Sequence, residues 1–142
     1  MKKLSLFIFF LFSSLVYAGS NDATITGITS SKRTKVEISV GDVTGLIRKV
    51  NLTVDGKSYI LTPKNSTVFK DDENGVYVLI AESNDYHFKM WMIPGSEKIV
   101  SKTSSSLKTT FAAVIEATDP RKGDKWKMTP RITIGCKLDY SI

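Results

Sequence analysis

The chain has 142 residues, of which 42% are hydrophobic, with 20 Lys and Arg, 14 Asp and Glu, one His and one Cys. That length suits one domain with one core. The modest positive charge falls short of a nucleic-acid-binding signature. A single cysteine excludes an internal disulfide, and one His with one Cys excludes a metal site built from those ligands.

The chain opens with Lys2 and Lys3, followed by Leu4 to Phe12, apolar except for Ser5. Val16 and Ala18 then place small residues where signal peptidase reads. Residues 1–18 read as a secretory signal peptide cleaved before Gly19. The apolar run is shorter than the ~20 residues of a transmembrane helix, so no integral membrane segment is expected after cleavage. The expected product, residues 19–142, is a single β domain in the bacterial periplasm or outside the cell; an uncleaved N-terminal anchor is the alternative. Two of the twenty basic residues leave with the leader, and eighteen against fourteen acidic gives +4.

Strand patterns follow in series. Val36, Ile38 and Val40 alternate with Lys35, Glu37 and Ser39, and Gly41-Asp42 breaks the run. Val50, Leu52 and Val54 alternate in the same way up to Asp55-Gly56, a two-residue hairpin signal that leads into Tyr59 to Thr62. Pro63 stops that strand. A short run at Thr67 to Phe69 reaches the polar tip Lys70 to Gly75, and Val76 to Ala81 is apolar on both faces, as in a central strand.

Tyr86 to Ile93 forms the next strand, closed by Pro94-Gly95, and Glu97 to Lys102 is a short edge strand. Leu107 to Thr118 fits helical spacing through Leu107, Phe111, Val114 and Ile115. It also fits a strand face through Leu107, Thr109, Phe111, Ala113, Ile115 and Ala117. Its β-branched content decides for strand. A polar loop from Asp119 then leads to a closing strand, Arg131 to Ile142.

Eight to ten short strands with little helix point to an antiparallel β-sandwich, with a small β-barrel as the alternative. Pro63, Pro94 and the Ser-rich stretch at residues 101–108 read as breaks between sheets.

Cys136 shares an alternating face with Ile132, Ile134, Leu138, Tyr140 and Ile142, so it reads as a buried, inert thiol. A His87–Cys136 nucleophile pair would require that thiol to be exposed. The Asp71-Asp72-Glu73 cluster lacks the spaced oxygen ligands of a calcium loop and reads as a solvated tip. Glu82 and Glu116 would form a hydrolytic pair only if they faced one cleft. No catalytic, cofactor or phosphate-binding motif is present. In the strand 86–93, Tyr86, Phe88, Met90 and Met92 occupy the core face. Trp91 and Ile93 lie on the other face, where an opposing part of the fold is expected to cover them.

The loop of residues 119–131 carries Arg121, Lys122, Lys125, Lys127 and Arg131 against Asp119 and Asp124, a local charge of +3, with Trp126 between two lysines. It exceeds the ~2–5 residues of an ordinary hairpin connection. An aromatic flanked by cations suits a carboxylate-bearing glycan, an anionic lipid surface or an acidic protein groove. The competing reading is a solvated loop whose Trp126 folds back onto the sheet.

Together these features describe a non-enzymatic exported domain without cofactors. It would bind an anionic envelope component or an acidic protein through Arg121, Lys122, Lys125, Trp126 and Lys127. One alternative is an inhibitor or immunity protein that plugs an acidic enzyme cleft with the same loop. Another is a subunit of a surface assembly whose segment 21–31 pairs with a neighbour's open sheet edge.

Overall fold

A computed structural model describes residues 22–41, 46–71 and 76–141. The leader at residues 1–18, together with Asp72 and Glu73 of the acidic tip, lies outside the described residues.

Ten strands follow one another: β1 (Ala23–Ile28), β2 (Thr34–Val40), β3 (Ile47–Val54), β4 (Lys57–Leu61), β5 (Asn65–Asp71), β6 (Val76–Glu82), β7 (His87–Met92), β8 (Lys98–Lys102), β9 (Ser106–Ala117) and β10 (Ile132–Ser141). The segment that also fitted a helix is β9, the longest strand, paired with β10 over its whole length. The β3–β4 turn is the tight hairpin expected of Asp55-Gly56. Both residues hold positive φ, 50° and 78°, as the type I′ turn requires.

All ten strands belong to one antiparallel sheet, in the order β4-β3-β2-β1-β10-β9-β7-β6-β5, with β8 paired to β9. The all-β class is as expected. The division into two stacked sheets is not borne out, whereas the barrel alternative is compatible with the sheet's strongly curled, half-barrel form. Chain order makes the curl obligatory. The two edges, β4 and β5, are consecutive in the chain and joined by only Thr62, Pro63 and Lys64. Laid flat, nine strands would put those edges about 38 Å apart, but the link from Leu61 to Asn65 spans at most about 14 Å. Lys64 N–H donates to Glu82 O (3.0 Å) and Ile47 N–H donates to Ser66 Oγ (2.9 Å), tying the returning chain to both sides of the curl.

Pro94-Gly95 does not send the chain to a second sheet either. β7 and β8 pair with successive stretches of the same edge of β9, Ala113–Ala117 and Leu107–Thr110. At the jog between them, the Ser96 hydroxyl stands in for the missing ladder bonds. It accepts from Ala112 N–H (3.0 Å) and donates to Ile93 O (2.6 Å).

The core fills the concave side. Ile25, Ile38, Val50, Leu52, Leu61, Leu79, Phe88, Met90 and Ile115 are all fully or almost fully buried. Each such side chain contributes about 1.5–3 kcal/mol relative to an exposed one. Cys136 is buried among them, and desolvation pushes its thiol up to about 12. It lies opposite Gly27, and the absence of a side chain there is what makes the fit. A Cβ on Gly27 would come within 2.6 Å of Ile134 Cδ1, 2.9 Å of Val36 Cγ1 and 3.0 Å of Cys136 Sγ.

Among the described residues there is no opposing sheet to cover Trp91 in the way the sequence suggests. It sits half-buried on the convex face between Val78 and Val114, with the Arg131 guanidinium 5.6 Å from its ring centroid. Most of the segment proposed to join a neighbour's edge is also engaged within the chain. Residues 23–28 form β1, which pairs with β2 on one side and β10 on the other.

Candidate binding cleft at the 119–131 loop

The loop that joins β9 to β10 is built as a continuation of their hairpin. Thr129 N–H donates to Ala117 O (2.7 Å), and Ala117 N–H donates to Thr129 Oγ1 (3.1 Å). Thr118 pairs with Met128, and Asp119 N–H donates to Lys127 O (2.8 Å). Thr118 also extends the ladder towards β7, since its N–H donates to His87 O while its hydroxyl accepts from His87 N–H. At the tip, Lys122 N–H donates to Asp119 O, Gly123 supplies a positive φ of 63°, and Asp124 Oδ1 accepts from Trp126 N–H (3.0 Å). Nearly every turn of the loop is therefore fixed by a hydrogen bond.

Charge fixes it further. The Asp119 carboxylate, with a side chain only 1% exposed, accepts from Arg121 N–H (2.9 Å), Nε (2.8 Å) and NH2 (2.6 Å). The other end of the same guanidinium binds Asp55 in the β3–β4 turn, and Asp55 also binds Arg33. This chain of charges runs from the β1–β2 connection through the hairpin turn to the loop. The Arg121 guanidinium holds the carboxyls of Asp119 and Asp55 below their ordinary range, with Arg33 adding to the effect at Asp55.

Lys125 Nζ binds Asp85 Oδ1 at 2.7 Å, joining the loop to the β6–β7 turn. Lys127 lies 3.8 Å from Asp124, and Arg131 lies 3.4 Å from Glu116. Of the five basic side chains, Lys122 alone makes no ion pair among the described residues. The excess positive charge read from the loop is met by Asp55, Asp85 and Glu116, which other parts of the fold supply.

Trp126 does not fold back. It is 69% exposed at the loop tip, with Lys125 Nζ 5.5 Å from its ring centroid and the His87 ring 6.5 Å away. Beside it opens a cleft of about 690 Å³ lined by Ser58, Tyr59, Tyr86, Asp85, Asp124 and Trp126, with Thr118 and Asp119 among its further lining residues. Tyr59 and Tyr86 stack at 5.1 Å and 20° between planes. The Tyr59 hydroxyl is buried and has no hydrogen-bond partner among the described residues, and burial raises its pKa.

Sequence reasoning missed Tyr59, Tyr86, Asp85 and Ser58. They come from β4 and the β6–β7 turn, far from the loop in the chain, and none belongs to a motif. The polar–aromatic composition of the 83–86 turn was the one available hint.

The residues weighed for catalysis are kept apart. His87 lies on the convex face and Cys136 on the concave face of the sheet, so the two cannot meet. Glu82 lies beside His87 (3.4 Å) and Glu116 beside Arg131, and neither lines the cleft. Among the described residues no group of three or more His, Cys, Asp or Glu is placed to hold a metal ion, and no helix is long and apolar enough to cross a membrane. Comparison of the chain with known protein families, with curated proteins and with solved structures finds no match.

Proposed function

We propose that the protein is an exported, non-enzymatic binding domain that engages its partner at the tip of the 119–131 loop, with Trp126 as the anchor. The observation that carries this reading is a large aromatic side chain, 69% exposed, on a loop whose backbone and neighbouring charges are tied down. A rigid loop loses little conformational entropy on binding, which favours affinity from few contacts. Buried aromatic anchors dominate the energetics of many interfaces.

Charge has a smaller role in this reading than the loop's sequence suggests. Arg121, Lys125 and Lys127 are engaged within the fold, leaving Lys122 as the electrostatic contact available to an anionic envelope component or an acidic protein. The signal-like leader supports a periplasmic or extracellular setting.

The test is capture from envelope and culture extract on immobilised protein, comparing wild type with Trp126→Ala and Lys122→Glu. Retention by wild type and loss by the still-folded Trp126→Ala variant supports the reading. Equal retention by both would remove the loop from the account and direct attention to the Trp91 face.

A further inference from the structure

We infer that the cleft beside Trp126 is a site for a neutral, polyhydroxylated ligand, a short oligosaccharide. This rests on the binding reading above for the place of the site, the Trp126 tip, and replaces its anionic partner with a neutral ligand in the cleft.

The pairing of charges within the cleft narrows the ligand class. The cleft is lined by three carboxylates, Asp85, Asp119 and Asp124, and one ammonium, Lys125. Asp119 is saturated by Arg121, Asp85 is paired with Lys125, and Asp124 accepts from Trp126 N–H with Lys127 nearby. An incoming anion meets these carboxylates with no unpaired cation in the lining. An incoming cation meets carboxylates already engaged. The groups that remain uncommitted are neutral.

Those groups are two aromatic surfaces and the Ser58 hydroxyl. The exposed indole of Trp126 and the exposed ring of Tyr86, which is backed by Tyr59, offer flat apolar faces. Ser58, exposed at the rim, offers a hydroxyl for hydrogen bonding. A pyranose ring presents the complement, with a C–H face to stack on an aromatic and a rim of hydroxyls that donate and accept. Aromatic side chains with one polar end suit surfaces that are part apolar and part wet. The volume falls inside the ~300–1,000 Å³ range of small-molecule sites, and aromatic faces set in a mostly polar lining suit a ligand that is part apolar and part hydroxylated.

The test is titration calorimetry with intrinsic tryptophan fluorescence on the purified protein. The probes are maltohexaose, cellohexaose and chitohexaose, with an oligogalacturonate as the carboxylate-bearing counterpart and choline as a cation. The expected result is binding of at least one neutral hexasaccharide. Trp126→Ala and Tyr86→Ala should each weaken it about tenfold or more, and Trp91→Ala not at all. Trp126 and Tyr86 are exposed, so these variants should keep their fold, as an unchanged melting temperature would confirm.

No binding of any neutral probe up to about 10 mM overturns the inference, as does binding indifferent to Trp126 and Tyr86. Preference for the oligogalacturonate or for choline also overturns it. If a partner captured from extract still depends on Trp126, these failures leave the binding reading standing. If capture is indifferent to Trp126, the binding reading falls as well.

Discussion

Arg121 in the β9–β10 loop binds Asp55 in the β3–β4 turn, 66 positions earlier in the chain, while gripping Asp119 with the rest of its guanidinium. One side chain thus joins the connection between two central strands to a hairpin near the sheet edge. It holds the wall of the cleft and the base of the Trp126 tip in one piece.

Removing that guanidinium leaves the buried Asp119 carboxylate without its counter-charge, a costly state for a charge shielded from water. Arg121→Ala should lower the melting temperature by roughly 5–10 °C. Lys122→Ala, next in the chain but without an ion pair among the described residues, should leave it within about 1 °C. Thermal unfolding of the two variants side by side checks the contrast.

The same pairs set an acid limit. Asp55 and Asp119 have folded-state pKa values held below the ordinary carboxylate value by Arg121. A depressed folded pKa contributes stability that is complete above the unfolded value and lost as pH falls through the folded one. Stability from this source should therefore hold from neutral pH down to about pH 5 and fall below about pH 4. In Arg121→Gln the acid decline should be shallower. Urea midpoints measured from pH 2 to pH 7 report both slopes.

The thiol of Cys136 should be silent. It is buried, and its pKa is pushed up to about 12. A thiol reagent should label the native protein only at the rate of opening, and the denatured protein at once. Cys136→Ser, which buries an added hydroxyl in an apolar layer, should cost about 1–3 kcal/mol. Reagent kinetics and denaturant midpoints test the two halves separately.

At the β7–β8 jog, Ser96→Ala removes the acceptor for Ala112 N–H. A loss of about 0.5–1.5 kcal/mol is expected, because Ala112 is only partly buried and water can replace part of the bond. Hydrogen exchange at Ala112 should accelerate in the variant, while exchange at the β10-paired Thr109, which lies in the same strand, should change less.

The strands were legible because a half-buried sheet imposes a two-residue period on its side chains. Cys136, Phe88 and Met90 declared their burial in that way. The sheet's single-piece form was not legible. Pro94-Gly95 looks the same in sequence whether the chain crosses to another sheet or, as here, shifts along the same edge of β9. Pro63 likewise marks the end of β4 without revealing that β4 and β5 are the two edges. At the loop, composition located the exposed Trp126 and the five basic residues. It could not reveal their neutralisation, because the partners Asp55 and Asp85 lie 66 and 40 positions away from the cations they bind. Tyr59 and Tyr86 come together in the cleft lining for the same long-range reason.

The role proposed for Trp126 is to hold the partner of this protein. Its most direct measurement is the dissociation constant of the captured partner for wild type, Trp126→Ala and Trp91→Ala. The expected result is a loss of about tenfold or more for Trp126→Ala, with Trp91→Ala close to wild type. Wild-type affinity in Trp126→Ala, or a loss confined to Trp91→Ala, would contradict it.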